Sequence, residues 1–217
     1  DAGGAFTSGT TGVATIDGST GVISPQAAGT STITYTVSGS GGCSDATSTL
    51  DVTVTTAPNA GTLSGTQAVC SNGSTTFASN GDAGGAFTSG TTGVATVNGS
   101  SGVISPVSAG SSTITYTVSG SGGCSDATST LDVTVTEEPS AGTISGTNNT
   151  NVGLTTSLSS DGDAGGTWST SDANLATVSS GGVVTGVAAG TVTITYTASA
   201  TSPCTSDATS TYTVTIN

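Results

Sequence analysis

The sequence predicts an all-β chain built from small sandwiches in tandem, and three observations carry that reading. The block DAGGAFTSGTTGVAT begins at Asp1 and recurs at Asp82, and a drifted form, DAGGTWSTSDANLAT, begins at Asp163, a spacing of 81 residues each time. Self-similarity at a fixed period marks a repeated structural unit. Thr makes up about a fifth of the 217 residues, with Val and Ile spread through the whole chain, a composition that suits pleated strands. Apolar and polar residues also alternate: Ile114, Tyr116 and Val118 are interleaved with Thr113, Thr115 and Thr117, the period-two pattern of a half-buried strand. No segment holds an apolar stripe at helical spacing.

Residues 1–55 and 82–136 differ at six positions, among them Ile16/Val97, Asp17/Asn98 and Gln26/Val107. The third copy has one residue deleted near its ATV segment and one inserted after Cys204. Within a copy, strands are expected around Thr62–Val69, Thr75–Ser79, Ala86–Ser89, Val94–Val97 and Val103–Ser105. The long TITYTVS strand follows, then LDVTVT with Leu131, Val133 and Val135 facing inward. About seven short strands with frequent turns are the sandwich signature. TTAPNAG and TEEPSAG read as equivalent Pro-marked connectors. They divide the chain into residues 1–56, a repeat lacking its first strands and leaving edges unpaired, and two complete repeats, 57–137 and 138–217. A chain that starts in mid-pattern at Asp1 is expected to be an excerpt of something longer.

Charge narrows the function. Lys, Arg and His are absent, against 13 acidic residues, for a net charge of −13. Nucleic acid is excluded as a partner, because phosphate binding depends on basic side chains that release counterions. Anionic membrane surfaces are excluded for the same reason, and no apolar run is long enough for membrane insertion as a helix. Catalysis needs a positioned acid, base or nucleophile. Without His, Lys or Arg, triads, Schiff bases and guanidinium clamps cannot be built, and the chain is read as non-enzymatic.

In the third copy, Gly166–Thr197 reads GTWSTSDANLATVSSGGVVTGVAAGTVTITYT. Trp168, the strand Ala176-Thr177-Val178, Gly182–Gly186, Ala189-Gly190-Thr191 and the Thr-rich strand that follows resemble the bacterial immunoglobulin-like group 2 domain. Phe6 and Phe87 stand where the third copy has Trp168. The resemblance implies tandem immunoglobulin-like β-sandwiches stacked head to tail in a rod. The near-identical copies are similar in style to the very long, repetitive adhesins of gliding bacteria. Phe6, Phe87 and Trp168 match the family's core aromatic, and Tyr35, Tyr116 and Tyr196 take inward strand positions.

The cysteines are Cys43, Cys70, Cys124 and Cys204. Cys43, Cys124 and Cys204 share one repeat position, between the last two strands, whereas Cys70 precedes the second strand, where the third copy has Asn151. No CxxC or His partner suggests zinc, and disulfides are the default in a secreted protein. In immunoglobulin topology the first and last turns lie at opposite ends of a sandwich, but in a head-to-tail array the first turn of one repeat approaches the last loop of the next. That favours Cys70–Cys204 across the junction and places the partners of Cys43 and Cys124 upstream of Asp1. The alternative is Cys70–Cys124 within one repeat.

The carboxylates Glu137, Glu138, Asp161 and Asp163 are the calcium candidates. A solvated linker for the first pair and a polar Asp/Gly turn for the second are the plainer readings, and no other cofactor is expected. The expected role is a structural stalk or filament segment of a giant secreted surface adhesin, whose partners are neighbouring repeats of the same chain. It would lie outside the cell, exported through the bacterial envelope by a type IX route, holding out a tip for attachment or gliding. The alternatives are a weak, multivalent surface-polysaccharide-binding module and, more remotely, a polymerising pilus-like subunit.

Overall fold

The computed structural model describes residues 3–217, and every regular element among them is a strand. No helix among the described residues is long and apolar enough to cross a membrane. The chain divides into two compact units: Asp1–Leu63 with Ser79–Phe87 and Thr115–Thr130, and Ser64–Ala78 with Thr88–Ile114 and Leu131–Asn217.

In the first unit, Ala5–Ser8, Gly29–Val37 and Ala46–Val54 form a three-stranded antiparallel sheet in that order. Ala14–Ile16 and Ile23–Pro25 pair as a hairpin, with Ile16 opposite Ile23. Asp17 builds the hairpin turn: its carboxylate accepts from the backbone N–H of Thr20 at 2.7 Å and of Ser19 at 3.0 Å. The Thr20 backbone bond, followed by the Thr20 hydroxyl and the Ser19 backbone, holds the Asp17 carboxyl below the usual aspartate range. In the second copy Asn98 accepts the same two bonds, from Ser100 at 3.1 Å and Ser101 at 2.9 Å. A depressed folded pKa favours the fold above the unfolded value, and that contribution disappears as pH falls through the folded value. Asp17→Asn is therefore expected to leave the hairpin intact at neutral pH while removing its acid-side titration. Amide chemical shifts of Ser19 and Thr20, followed from pH 6 to pH 2, check this; an unchanged titration in the variant refutes it.

The second unit contains the whole of the third copy, as two four-stranded sheets. One runs Ile144–Gly146, Thr155–Ser160, Val183–Gly186, Ala176–Val178; the other runs Asn149–Thr150, Ala208–Ile216, Gly190–Ala198, Thr167–Thr170. Two inward faces meet in a core that includes Ile144, Leu158, Val184, Ile194 and Val214, with Trp168 packed against it. Alternation is the cause: in Gly190–Ala198 the residues Val192, Ile194, Tyr196 and Ala198 are buried, as the TITYT pattern predicts. The expected inward residues of the second copy behave alike, with Ile114, Tyr116, Val118, Val133 and Val135 buried and Leu131 half-buried.

The first strands of the repeat depart from expectation. Thr62–Val69 is not one strand but two, Leu63–Ser64 and Ala68–Cys70, and they join different sheets. The break falls at Gly65, whose φ of 151° and close approach to the Phe77 ring leave no room for a Cβ. Gly146 repeats the crossing in the third copy. The third copy consequently has eight strands rather than seven. After the crossing, Ala68–Cys70 pairs in parallel with Thr134–Thr136, and Asn149–Thr150 pairs in parallel with Thr215–Ile216. The repeat thus closes its sheet by laying its entry strand alongside its exit strand.

The DAGG signature also acquires a cause. The Tyr196 hydroxyl donates to the Asp163 carbonyl and accepts from the Gly166 N–H at 2.9 Å, and a Cβ at Gly166 would collide with the Tyr196 ring. Tyr116 does the same with Asp82 and Gly85, at 2.8 and 2.9 Å. The tyrosines stack beside the aromatics of the Phe6, Phe87 and Trp168 position, with ring centroids 4.6 Å apart for Phe6–Tyr35 and 4.8 Å for Trp168–Tyr196. Phe87 is buried, whereas Phe6 and Trp168 are half-buried. Sequence patterning gave no sign of Ser112, which is buried and satisfied by the Ser89 hydroxyl at 2.9 Å and the Thr91 N–H at 3.0 Å. The third copy fills that place with buried Val192, which needs no partner. No buried side-chain polar atom among the described residues lacks one.

Candidate functional site

The chemistry-bearing residues of the second unit gather at the turn after Ala68–Cys70. Cys70 is the last residue of that strand, opposite Thr136. The chain then turns, with the Ser71 N–H donating to the Thr136 carbonyl at 2.8 Å and the Gly73 N–H to the Cys70 carbonyl at 2.9 Å. Cys204 sits in the loop before Ala208–Ile216, in a turn closed by its own N–H on the Thr201 carbonyl at 2.9 Å. The Cys204 sulfur lies 3.6 Å from the Thr136 carbonyl oxygen and 3.4 Å from that of Glu137. Cys70 and Cys204 are bonded, Sγ–Sγ 2.01 Å, across a sequence separation of 134 residues. Both are buried. The bond therefore joins the entry strand of the second copy to the last loop of the third.

Around the bond, the connector is held by polar contacts. The Glu138 N–H donates to the Ser71 hydroxyl at 3.0 Å, and the Asn72 side-chain amide donates to the Glu138 carboxylate. Glu137 and Glu138 are exposed, and Glu137 meets the site through its carbonyl. Asp161 and Asp163 lie at the turn before Thr167–Thr170. Asp163 accepts from the Ser140 N–H at 2.8 Å, and Asp161 from the Thr143 N–H. Asn80 and Asp82 hold Thr62 and Asn59 in the same way, at 2.7 and 2.8 Å. Since the amide of Asn80 serves where Asp161 does, the position requires an acceptor rather than a charge. The four carboxylates are split between two places, and no group of three or more His, Cys, Asp or Glu that could hold a metal ion occurs among the described residues.

In the first unit, Cys124 occupies a matching turn, its N–H on the Ser121 carbonyl at 3.1 Å. Its sulfur lies 3.6 Å from the hydroxyl of Thr55, which donates to the Ser121 carbonyl at 3.2 Å. Thr55 is one period before Thr136. The contact of Cys124 with the end of the previous copy thus mirrors that of Cys204. Cys43 and Cys124 carry free thiols, Cys43 exposed and Cys124 half-buried. Repeat phase set Cys70 apart in the sequence from Cys43, Cys124 and Cys204, but left both Cys124 and Cys204 open as its partner.

With two facing sheets closed by a parallel entry strand, the third copy has a recognisable architecture. Residues 130–208 match the family model of the bacterial Ig-like domain (group 2). That stretch contains the Gly166–Thr197 segment and its Trp168. No curated protein sequence matches the chain. Among solved structures, a three-domain titin fragment, I67–I69 in an E-to-A variant, superposes with a TM-score of 0.55 at 12% identity, covering 100% of this chain and 88% of that one. A likeness at that identity shows the fold, which is tandem Ig-like sandwiches. Drosophila N-cadherin EC1-4 has a TM-score of 0.45 at 12% identity, and invasin, a bacterial integrin-binding protein, 0.44 at 19%. This chain is covered completely in both alignments but spans 67% of the cadherin chain and 52% of the invasin chain.

Proposed function

We propose that the chain is a stalk or filament segment of a giant, secreted bacterial surface adhesin, extending a tip from the cell and supporting surface attachment or gliding. One observation carries the reading: the Cys70–Cys204 bond ties one repeat copy to the next. A covalent link between copies serves no catalytic purpose and adds nothing to a binding face, but it removes a hinge. The parallel pairing of entry and exit strands fits the same reading, since it closes each sheet at the strand through which the chain enters the repeat. Export to the cell surface, by the type IX route of gliding bacteria, belongs to the proposal, and a disulfide fits an oxidising compartment.

Oxidised chains of two, four and eight repeats test it. Their length in electron micrographs is expected to grow in proportion to repeat number, and all are expected to pass unretained through polysaccharide columns. Growth with the square root of repeat number, as for a flexible coil, overturns the stalk. Retention that strengthens with copy number replaces it with the multivalent adhesive module.

A further inference from the structure

Asparagine is followed by glycine at Asn72-Gly73, Asn80-Gly81 and Asn98-Gly99. In such a pair the glycine nitrogen can attack the asparagine side-chain amide, because glycine puts no side chain in the way. Local sequence does not rank the sites, since Asn72 and Asn98 share the tripeptide Asn-Gly-Ser. All three asparagines are exposed. The fold, however, treats them differently.

At Asn72 the attacking nitrogen is engaged: the Gly73 N–H donates to the Cys70 carbonyl at 2.9 Å, and Glu138 holds the Asn72 amide. At Asn80 the Gly81 N–H donates to the Ser79 hydroxyl at 3.0 Å, and Oδ1 accepts from the Thr62 N–H at 2.7 Å. At Asn98 the Gly99 N–H makes no hydrogen bond among the described residues. The backbone of Asn98 is pinned on both sides, its N–H on the Val103 carbonyl at 2.8 Å and its carbonyl on the Gly102 N–H at 2.9 Å. Its Oδ1 accepts from the N–H groups of Ser100 and Ser101 at 3.1 and 2.9 Å, which folds the carboxamide over the Gly99 peptide. When a nitrogen adds to the carboxamide carbon, negative charge develops on that same oxygen. The two donors therefore stand where an oxyanion needs them.

The turn also accommodates the product. The first copy has Asp17-Gly18 at this place, and its carboxylate accepts from the same two N–H groups at 3.0 and 2.7 Å. Those bonds keep the Asp17 carboxyl ionised at neutral pH, and charge on the acceptor strengthens them in turn.

We infer that Asn98 is a self-deamidation site, and that its conversion gives the second copy the acidic hairpin turn of the first. The Gly99 nitrogen bonds to the Asn98 side-chain carbon as the bond from that carbon to Nδ2 breaks. Ammonia leaves with the Gly99 amide proton, and a five-membered imide remains. Water then opens the ring. Cleavage of the new bond yields aspartate at position 98, and cleavage of the original peptide bond yields isoaspartate. One water is consumed and one ammonia released, so no other reactant is needed. The inference holds for a stalk and for an adhesive module alike.

The test incubates the full oxidised chain at mildly alkaline pH and maps it with pepsin, since trypsin finds no Lys or Arg. The mass gain of an amide-to-acid conversion is expected at Asn98 at least about tenfold faster than at Asn72 or Asn80, a small part of what oxyanion donors contribute in enzymes. In the reduced chain unfolded in urea, Asn72 and Asn98 should convert at equal rates. The aspartate product should co-elute with the Asn98→Asp variant, whose Ser100 and Ser101 amides should shift with pH as those of Ser19 and Thr20 do. Equal rates at Asn72 and Asn98 in the native chain overturn the site. So does a preference for Asn98 that survives unchanged in urea.

Discussion

Pulled by its ends while oxidised, the chain should yield no length from the residues between Cys70 and Cys204, and after reduction it should yield all of it. The bond closes a loop with a sequence separation of 134 residues. Tension entering before Cys70 crosses directly to Cys204 and leaves through Ala208–Ile216, so the enclosed residues carry no extending load even if they unfold. At about 3.5 Å per residue, the enclosed length is roughly 470 Å. Single-molecule force spectroscopy of the oxidised chain should therefore show a final contour length shorter by that amount than the reduced chain or the Cys70→Ser/Cys204→Ser variant. Equal contour lengths would mean that the two cysteines are not joined. The loop also constrains the unfolded chain, and on the loop-entropy argument its closure contributes about 5 kcal/mol. The oxidised protein should accordingly resist urea to a clearly higher concentration than the reduced one.

The second large effect comes from identical side chains in unlike surroundings. Ile104→Ala removes a fully buried side chain and should destabilise the second copy by about 2–5 kcal/mol, the transfer and cavity cost of such a truncation. Ile23→Ala, at the same place in the same GVISP sequence, should cost less than about 1 kcal/mol, because Ile23 is already 38% exposed and leaves no closed cavity. Hydrogen exchange of the amides in Val103–Pro106 and in Ile23–Pro25 reads each copy separately. Similar losses at the two sites would show that Ile23 is as well covered in solution as Ile104.

The two comparisons show where sequence reading reached and where it stopped. The inward faces of Gly110–Val118 and Gly190–Ala198 were legible because a strand points successive side chains to opposite sides, so alternation alone names the buried set. The turn and connector chemistry was partly legible. DAGG announced a turn, but the reason for its last glycine lies in a tyrosine about 30 residues later that crosses over it. The carboxylates were legible as acidic residues and not as backbone acceptors, since the N–H groups that occupy Asp161 and Asp163 come from a connector about 20 residues earlier. The split of Thr62–Val69 was missed because both halves are strand-like. Only the Phe77 ring beneath Gly65 shows that the chain changes sheets there.

By itself the sequence determined the all-β class, the 81-residue period, the strand faces, the absence of any basic group and the repeat phase of the cysteines. These are properties of composition and of short-range alternation, which act within a few residues. The tertiary structure decided which cysteines meet, which sheet each entry strand joins, and whether Ile23 or Ile104, in identical local sequence, is exposed or buried. Burial and cross-linking depend on what lies within a few ångströms in space. Those neighbours come from positions tens to more than a hundred residues away, which no local pattern encodes.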